Sequence, residues 1–428
     1  MLFCACRAAD LLNAFVGLWL VPKYVDPSEL GAVMPLTQFA NFLAIPAAAF
    51  ANTFRNELTR LSIGREFGKL KTLMRCVFAA TAVFLFVAII VARFVLPAFL
   101  ERIRIVEGSL GFIIIASSFV SAVAPVYSNA LQALKKFKAQ SLISIVGAPV
   151  RLIAMLAAMP FRALTGYFIG QAAPPAFGIA ASVIALRKEL SVPAKPYWNK
   201  ETAKKFSALL TVFLAWGTAT GFYGLVESTV IRQRLSDLDS AGYYMATRFS
   251  EIATYLYGAM TFAFFPFAAE LAKDGRKQVG LVFKATAANM AFCLIIAVIF
   301  CFVAKPMLAF LPYGTKYSTY WWTIPWMIAL TGMSSLYGFF STSEIASGRF
   351  GFLKWSMPLD ISYPIILLAI TGYGYFTGFI PDAWTDFLAT HNIRHLSTML
   401  WWMTAITIIK FIASIFAIYR LNNRDPDR

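Results

Sequence analysis

Histidine is nearly missing from this chain of 428 residues; the two present are His391 and His395. A histidine-built metal centre is therefore not expected, and no cofactor is. Charge is scarce too. Asp, Glu, Lys and Arg make up 14% of the residues, where a soluble domain approaches a quarter. Acid is the scarcer sign, with 21 Asp and Glu against 38 Lys and Arg and a net charge of +17. The five cysteines (Cys4, Cys6, Cys76, Cys293, Cys301) have neither CxxC nor zinc-ligand spacing. They read as packing residues. No GxxxxGK[ST] motif occurs, so a P-loop is not the source of energy.

What the chain has is apolar length. Hydrophobic residues make up 59% of it, and they lie in long runs. A helix needs ~20 apolar residues to cross the hydrocarbon. Twelve runs qualify, at 5–22, 31–54, 75–98, 109–134, 140–159, 164–186, 207–231, 242–270, 282–304, 319–346, 356–379 and 397–419. The expectation is an all-α integral membrane protein of about 12 transmembrane helices. Val21-Pro22-Lys23 is not a small-residue cleavage site, so the first run reads as an uncleaved span.

Basic residues gather in every second loop: Arg55–Arg75, Lys135–Lys138, Arg187–Lys205, Lys273–Lys284, Arg349–Lys354 and Arg420–Arg428. The intervening loops hold fewer, among them Arg102, Arg232 and Lys316. This alternation puts both termini in the cytoplasm. It makes the positive charge a matter of topology and anionic lipid, not of nucleic acid. Trp321, Trp322, Trp401 and Trp402 sit at outer span ends, where interfacial anchors belong. The longest inner loop carries Pro193 and Pro196. It divides the chain into an N-lobe at 1–186, a linker at 187–206 and a C-lobe at 207–428.

The two halves repeat. Gly31-Ala32-Val33-Met34 opens a stretch closed by Ala98-Phe99-Leu100, and Gly242-Tyr243-Tyr244-Met245 opens one closed at the same distance by Ala309-Phe310-Leu311. Each runs apolar helix, basic loop, apolar helix. Duplicated halves in a membrane chain point to a transporter.

A few charges interrupt the spans, where each costs at least ~2.5–3.5 kcal/mol at the bilayer centre. Arg7 and Asp10 share a face of span one with Asn13, Ala14 and Gly17. Tyr244, Arg248, Glu251 and Tyr255 form a stripe on span eight. Arg55 and Glu57 close span two. These groups read either as the wall of a substrate cavity or as local ion pairs and interfacial anchors. Arg151, Glu227 and Asp360 stand alone in their spans. Asp10, Glu227 and Asp360 are candidates for ion coupling, with buried structural pairing as the alternative. Glu344 reads as interfacial. Prolines such as Pro46, Pro125, Pro149 and Pro364 add kink points.

Three segments carry a family resemblance: Leu20-Val21-Pro22-Lys23-Tyr24-Val25 with Glu29-Leu30-Gly31, Ala241-Gly242-Tyr243-Tyr244, and Phe265-Pro266-Phe267-Ala268-Ala269-Glu270-Leu271-Ala272 with the basic loop after it. On these the chain resembles the multidrug/oligosaccharidyl-lipid/polysaccharide (MOP) flippase superfamily, in particular its O-antigen flippase-like, polysaccharide-export branch. The resemblance implies two pseudo-symmetric six-helix lobes around a central cavity. It implies a flippase, not an enzyme, that moves a polyprenyl-pyrophosphate-linked oligosaccharide across the bacterial cytoplasmic membrane. The cargo would be an O-antigen, capsule or exopolysaccharide repeat unit. Lipid II flippases of the superfamily hold pyrophosphate with arginines on spans one, two and eight; by span position these are Arg7, Arg55 and Arg248. The chain departs from that type by lacking two further C-terminal spans. Implied partners are membrane lipid, the lipid-linked oligosaccharide, and the glycan polymerase and glycosyltransferases of the same pathway. Two other readings stand beside this one. A multidrug or organic-cation antiporter would use Asp10 for protons. A membrane glycan polymerase or ligase would have to use His391, Arg394 and His395.

Overall fold

The computed structural model describes Leu12 and residues 16–105, 108–270, 275–311, 314–347, 349–370 and 396–422. Within helices, the side chains of Arg55, Glu57 and Tyr255 are among those outside the description. Arg7, Asp10, His391, Arg394 and His395 also lie outside the described residues.

Every described element is helical, and the chain is all-α. Eight described helices are long and apolar enough to cross a membrane, from Pro27–Phe54 through Phe67–Arg102 to Met399–Tyr419. Their outward faces are oily. Phe86, Phe94, Phe112, Phe161, Phe302, Phe310 and Phe416 are all well exposed. So continuous an apolar surface is stable against lipid tails and not against water.

Two compact units divide the chain: Met1–Val16 with Ala32–Thr229, and Gly17–Gly31 with Val230–Arg428. The first contains α3 (Val33–Ile63), α4 (Phe67–Arg102), α5 (Gly108–Ala133), α6 (Phe137–Ala158), α7 (Ala163–Leu190) and most of α8 (Lys200–Arg234). Helix α3 packs on α5, and α6 on α7. Phe54, Leu58, Leu61, Leu70, Leu73, Leu131 and Leu186 meet in one buried cluster. Lys136 caps the last turn of α7, donating to the Ala185 carbonyl at 2.6 Å and to Glu189 at 2.8 Å. A cation there meets the negative end of the helix dipole.

Between α7 and α8 the chain leaves helical geometry and runs as a strap along α4. The Lys195 amide donates to the Gly68 carbonyl at 3.1 Å. The Thr72 hydroxyl donates to the Lys195 carbonyl at 2.7 Å, and the Lys71 amine to the Val192 carbonyl at 3.0 Å. Gly68 makes this possible. A Cβ there would lie 2.7 Å from the Pro193 oxygen and 2.8 Å from Lys195 Cγ.

The second unit opens with a π-helical turn, Val16–Leu20, followed by α1 (Val21–Tyr24) and α2 (Pro27–Leu30). It continues with α9 (Asp237–Glu270), α10 (Gly275–Ala309), α11 (Gly314–Tyr317), α12 (Thr323–Ala346), α13 (Leu353–Ile370) and α14 (Leu396–Asn422). Helix α9 packs on α12 as α3 packs on α5 in the first unit. The sequence repeat thus recurs as a packing repeat, second span on fourth and eighth on tenth. Phe264, Phe339, Phe340, Phe352 and Ile418 form this unit's core.

Arg232 ties α2 to the start of α9. Counted by sequence as a loop cation, it is 2% exposed. It donates to the Ser28 carbonyl at 2.6 Å and pairs with Asp237 at 2.7 Å. Gly31 permits the approach: a Cβ there would lie 2.5 Å from Ser240 Cβ. Near the basic-loop end, Gln278 donates to Ser347 Oγ at 2.7 Å, while Arg349 reaches Gln278 Oε1 at 2.6 Å and Glu344 at 2.8 Å. Glu344 is buried within this group.

Candidate functional site

Helix α9 starts on a capped turn. The Ser236 hydroxyl accepts the Asp239 amide at 3.0 Å and donates to the Asp239 carboxylate at 2.7 Å. Asp237 and Asp239 place negative charge in the first turn, where the helix dipole favours it. From that start, Tyr244, Arg248 and Glu251 fall on one face at spacings of four and three.

The structure brings these three together with Gly17 of the π turn. The Tyr244 hydroxyl donates to the Gly17 carbonyl at 3.2 Å. The Arg248 guanidinium carbon lies 5.0 Å from the centre of the Tyr244 ring. That is within cation–π range. Arg248 Nη1 donates to Glu251 Oε1 at 2.5 Å. The arginine stem passes Gly17 closely enough that a Cβ there would touch Arg248 Cδ at 3.4 Å. The cation is thus stacked below, packed along its stem and paired at its tip. Protein covers most of it: the Arg248 side chain is 11% exposed, whereas that of Glu251 is 31% exposed. The acid is the open half of the pair.

A π turn widens the helix by one residue and is common at functional sites. Here it turns the Gly17 carbonyl toward Tyr244. Sequence placed Gly17 in a polar, small-residue stripe. Nothing in the sequence marks the π geometry.

The remaining candidates lie on several helices. Tyr255 belongs to α9 and Arg55 to α3, with side chains outside the description. Glu227 is buried in the first unit, on α8. Asp360 is 3% exposed on α13, between Pro358 and Pro364. Its Oδ1 is in tight ion pairing with Lys410 of α14, and its Oδ2 is buried without a hydrogen bond. The Lys410 amine also lies 5.9 Å from the centre of the Tyr337 ring. Sequence reasoning passed over Lys410. Its position inside the last apolar span was the available signal. Arg151 is buried on α6. Among the described residues, no three His, Cys, Asp or Glu side chains come close enough to hold a metal ion.

The sequence matches no protein-family model and no curated protein. The fold has clear relatives. It resembles the inward-facing conformation of a multidrug resistance MATE family transporter of the MOP superfamily, with a TM-score of 0.69 and 12% identity over 97% of this chain and 96% of the other. It resembles the lipid II flippase MurJ in an inward closed conformation, with a TM-score of 0.64 and 12% identity over 98% and 89%. It also resembles a mutant form of the Vibrio cholerae MATE transporter VcmN, with a TM-score of 0.62 and 15% identity over 99% and 98%. The chain therefore has the all-α fold of MOP-superfamily membrane transporters. Proteins named as multidrug transporters and as a lipid flippase share that fold, so the fold alone does not assign a function.

Proposed function

We propose that this chain is a transporter that flips a polyprenyl-pyrophosphate-linked oligosaccharide across the bacterial cytoplasmic membrane by alternating access. The cargo would be an O-antigen, capsule or exopolysaccharide repeat unit. The observation that carries this reading is the buried Arg248, pre-oriented by Tyr244 and Gly17 inside an apolar helix set. A guanidinium keeps its charge when desolvated and offers phosphate oxygens a planar fork. An intramembrane cation kept at this cost is a functional hypothesis by default. Arg7 and Arg55 are proposed to share the pyrophosphate. Tyr244 and Tyr255 would offer ring faces and hydroxyls to the sugar, while the prenyl tail stays in lipid. Asp10, Glu227 and Asp360 are proposed as sites where an ion gradient enters the cycle. The glycosyltransferases and polymerase of the pathway would act before and after the flip.

A second reading has an observation of its own. Glu251 is the more open half of its ion pair, and an open carboxylate in an apolar setting suits an organic cation. Under that reading the chain exports cationic drugs; one structural neighbour is named a multidrug resistance transporter. A deletion strain separates the two. The flippase reading expects lipid-linked oligosaccharide to accumulate on the inner leaflet. It expects Arg248→Ala to reproduce the defect at normal protein level. Survival of export with Arg7, Arg55 and Arg248 all neutralised would refute the site. Drug sensitivity without lipid accumulation would favour the antiporter.

A further inference from the structure

We propose that Glu251 is the selectivity residue of this site: an internal carboxylate occupying the seat on Arg248 that an anionic headgroup must take. The proposal rests on the flippase reading and specifies its regulation. Arg248 is the immobile partner, with its guanidinium over the Tyr244 ring at 5.0 Å, its stem against Gly17, and Tyr244 itself tied to the Gly17 carbonyl at 3.2 Å. Glu251 is the movable one. Its side chain is 31% exposed against 11% for Arg248, and the contact joining them is an i,i+3 pair on one helix. Rotation of Glu251 away from Arg248 therefore moves a carboxylate toward the side on which it is already partly exposed, while the cation stays oriented.

The exchange has a charge condition. Glu251 offers Arg248 one negative charge. A pyrophosphate offers two or more, with oxygens spaced for the guanidinium fork. It can displace the carboxylate and then repels it, holding Glu251 away from the seat. A zwitterionic lipid, whose phosphate charge is offset by its own amine, gains less. With the seat empty, the returning Glu251 restores the ion pair with Arg248. Glu251 is accordingly a positioning residue that sets which anions succeed. The two functional readings give its removal opposite signs.

The test uses the full chain in detergent and titrates farnesyl pyrophosphate, inorganic pyrophosphate and ethidium. Glu251→Gln should bind farnesyl pyrophosphate about tenfold more tightly than the wild type, the effect of removing one partly exposed competing charge. Inorganic pyrophosphate should show the same gain, because the seat recognises the headgroup. Ethidium binding should be unchanged. Glu251→Asp, which keeps the charge, should bind like the wild type, and Glu251→Ala should change in the same direction as Gln. Arg248→Ala should weaken both pyrophosphate probes.

If Arg248→Ala weakens them but Glu251→Gln leaves binding unchanged or weaker, the flippase reading stands and this proposal is overturned. A gain confined to the prenylated probe also overturns it. If Arg248→Ala has no effect on either probe, the site reading itself fails. If Glu251→Gln abolishes ethidium binding, Glu251 is a cation ligand and the antiporter reading replaces both.

Discussion

Lys410→Met would leave a buried carboxylate without its cation. Asp360 is 3% exposed, Lys410 is its ion-pair partner, and its second oxygen is already buried without a hydrogen bond. Removing one member of a buried pair costs about 3–5 kcal/mol, because the surviving charge keeps its desolvation penalty and loses its compensation. Loss of the Lys410–Tyr337 contact adds about 0.5–1 kcal/mol. The unit that contains the pair spans Gly17–Gly31 and Val230–Arg428. For a domain of that size, 1 kcal/mol moves Tm by roughly 2–4 °C, so the fall should be on the order of ten degrees. Thermal unfolding of the detergent-solubilised protein, followed by tryptophan fluorescence, measures it. Asp360→Leu combined with Lys410→Met should recover most of the loss, since an apolar pair carries no desolvation cost. A single variant that melts with the wild type, or a double variant that melts no higher than the single, would refute the electrostatic account of this helix pair.

Three glycine substitutions should separate close approach from free space. Gly31→Ala places a methyl 2.5 Å from Ser240 Cβ; it should destabilise by about 1–3 kcal/mol, read as a lower Tm. Gly280→Ala meets nothing within 4 Å on α10 and should stabilise by about 0.5–1 kcal/mol through helix propensity. Gly68→Ala pushes against the Pro193 oxygen at 2.7 Å. It should detach the strap and speed tryptic cleavage after Lys200, with Tm changing little; the Lys195–Pro196 bond resists trypsin and stays intact.

The fold was legible because burial in lipid inverts the usual code. Long apolar runs must be helices there, since no other geometry satisfies the backbone. The repeat markers at Gly31 and Gly242 were legible for a packing reason. A Cβ at either would collide, with Ser240 in one case and with the Tyr320 ring at 2.6 Å in the other. The Arg248–Glu251 pair could be read because its members are three residues apart on one helix. Asp360–Lys410 joins residues fifty apart on different helices, and no local periodicity reports that. Arg232 was hidden by its loop position: only the fold shows that α2 covers it. The strap over α4 reads in sequence as a linker, and it lies within the first compact unit. Its attachment through Gly68, Lys71 and Thr72 depends on single backbone contacts, which composition does not encode.

The central claim is that an anionic headgroup, held by Arg248, crosses the membrane through this protein. Reconstitution into proteoliposomes with a fluorescent prenyl-pyrophosphate-linked oligosaccharide on one leaflet tests it most directly. The account expects the wild type to bring the label to the opposite leaflet and Arg248→Ala to slow that appearance at least tenfold, or about 1.4 kcal/mol. Equal rates in the two proteins, or exchange of an organic cation with no movement of the lipid, would contradict it.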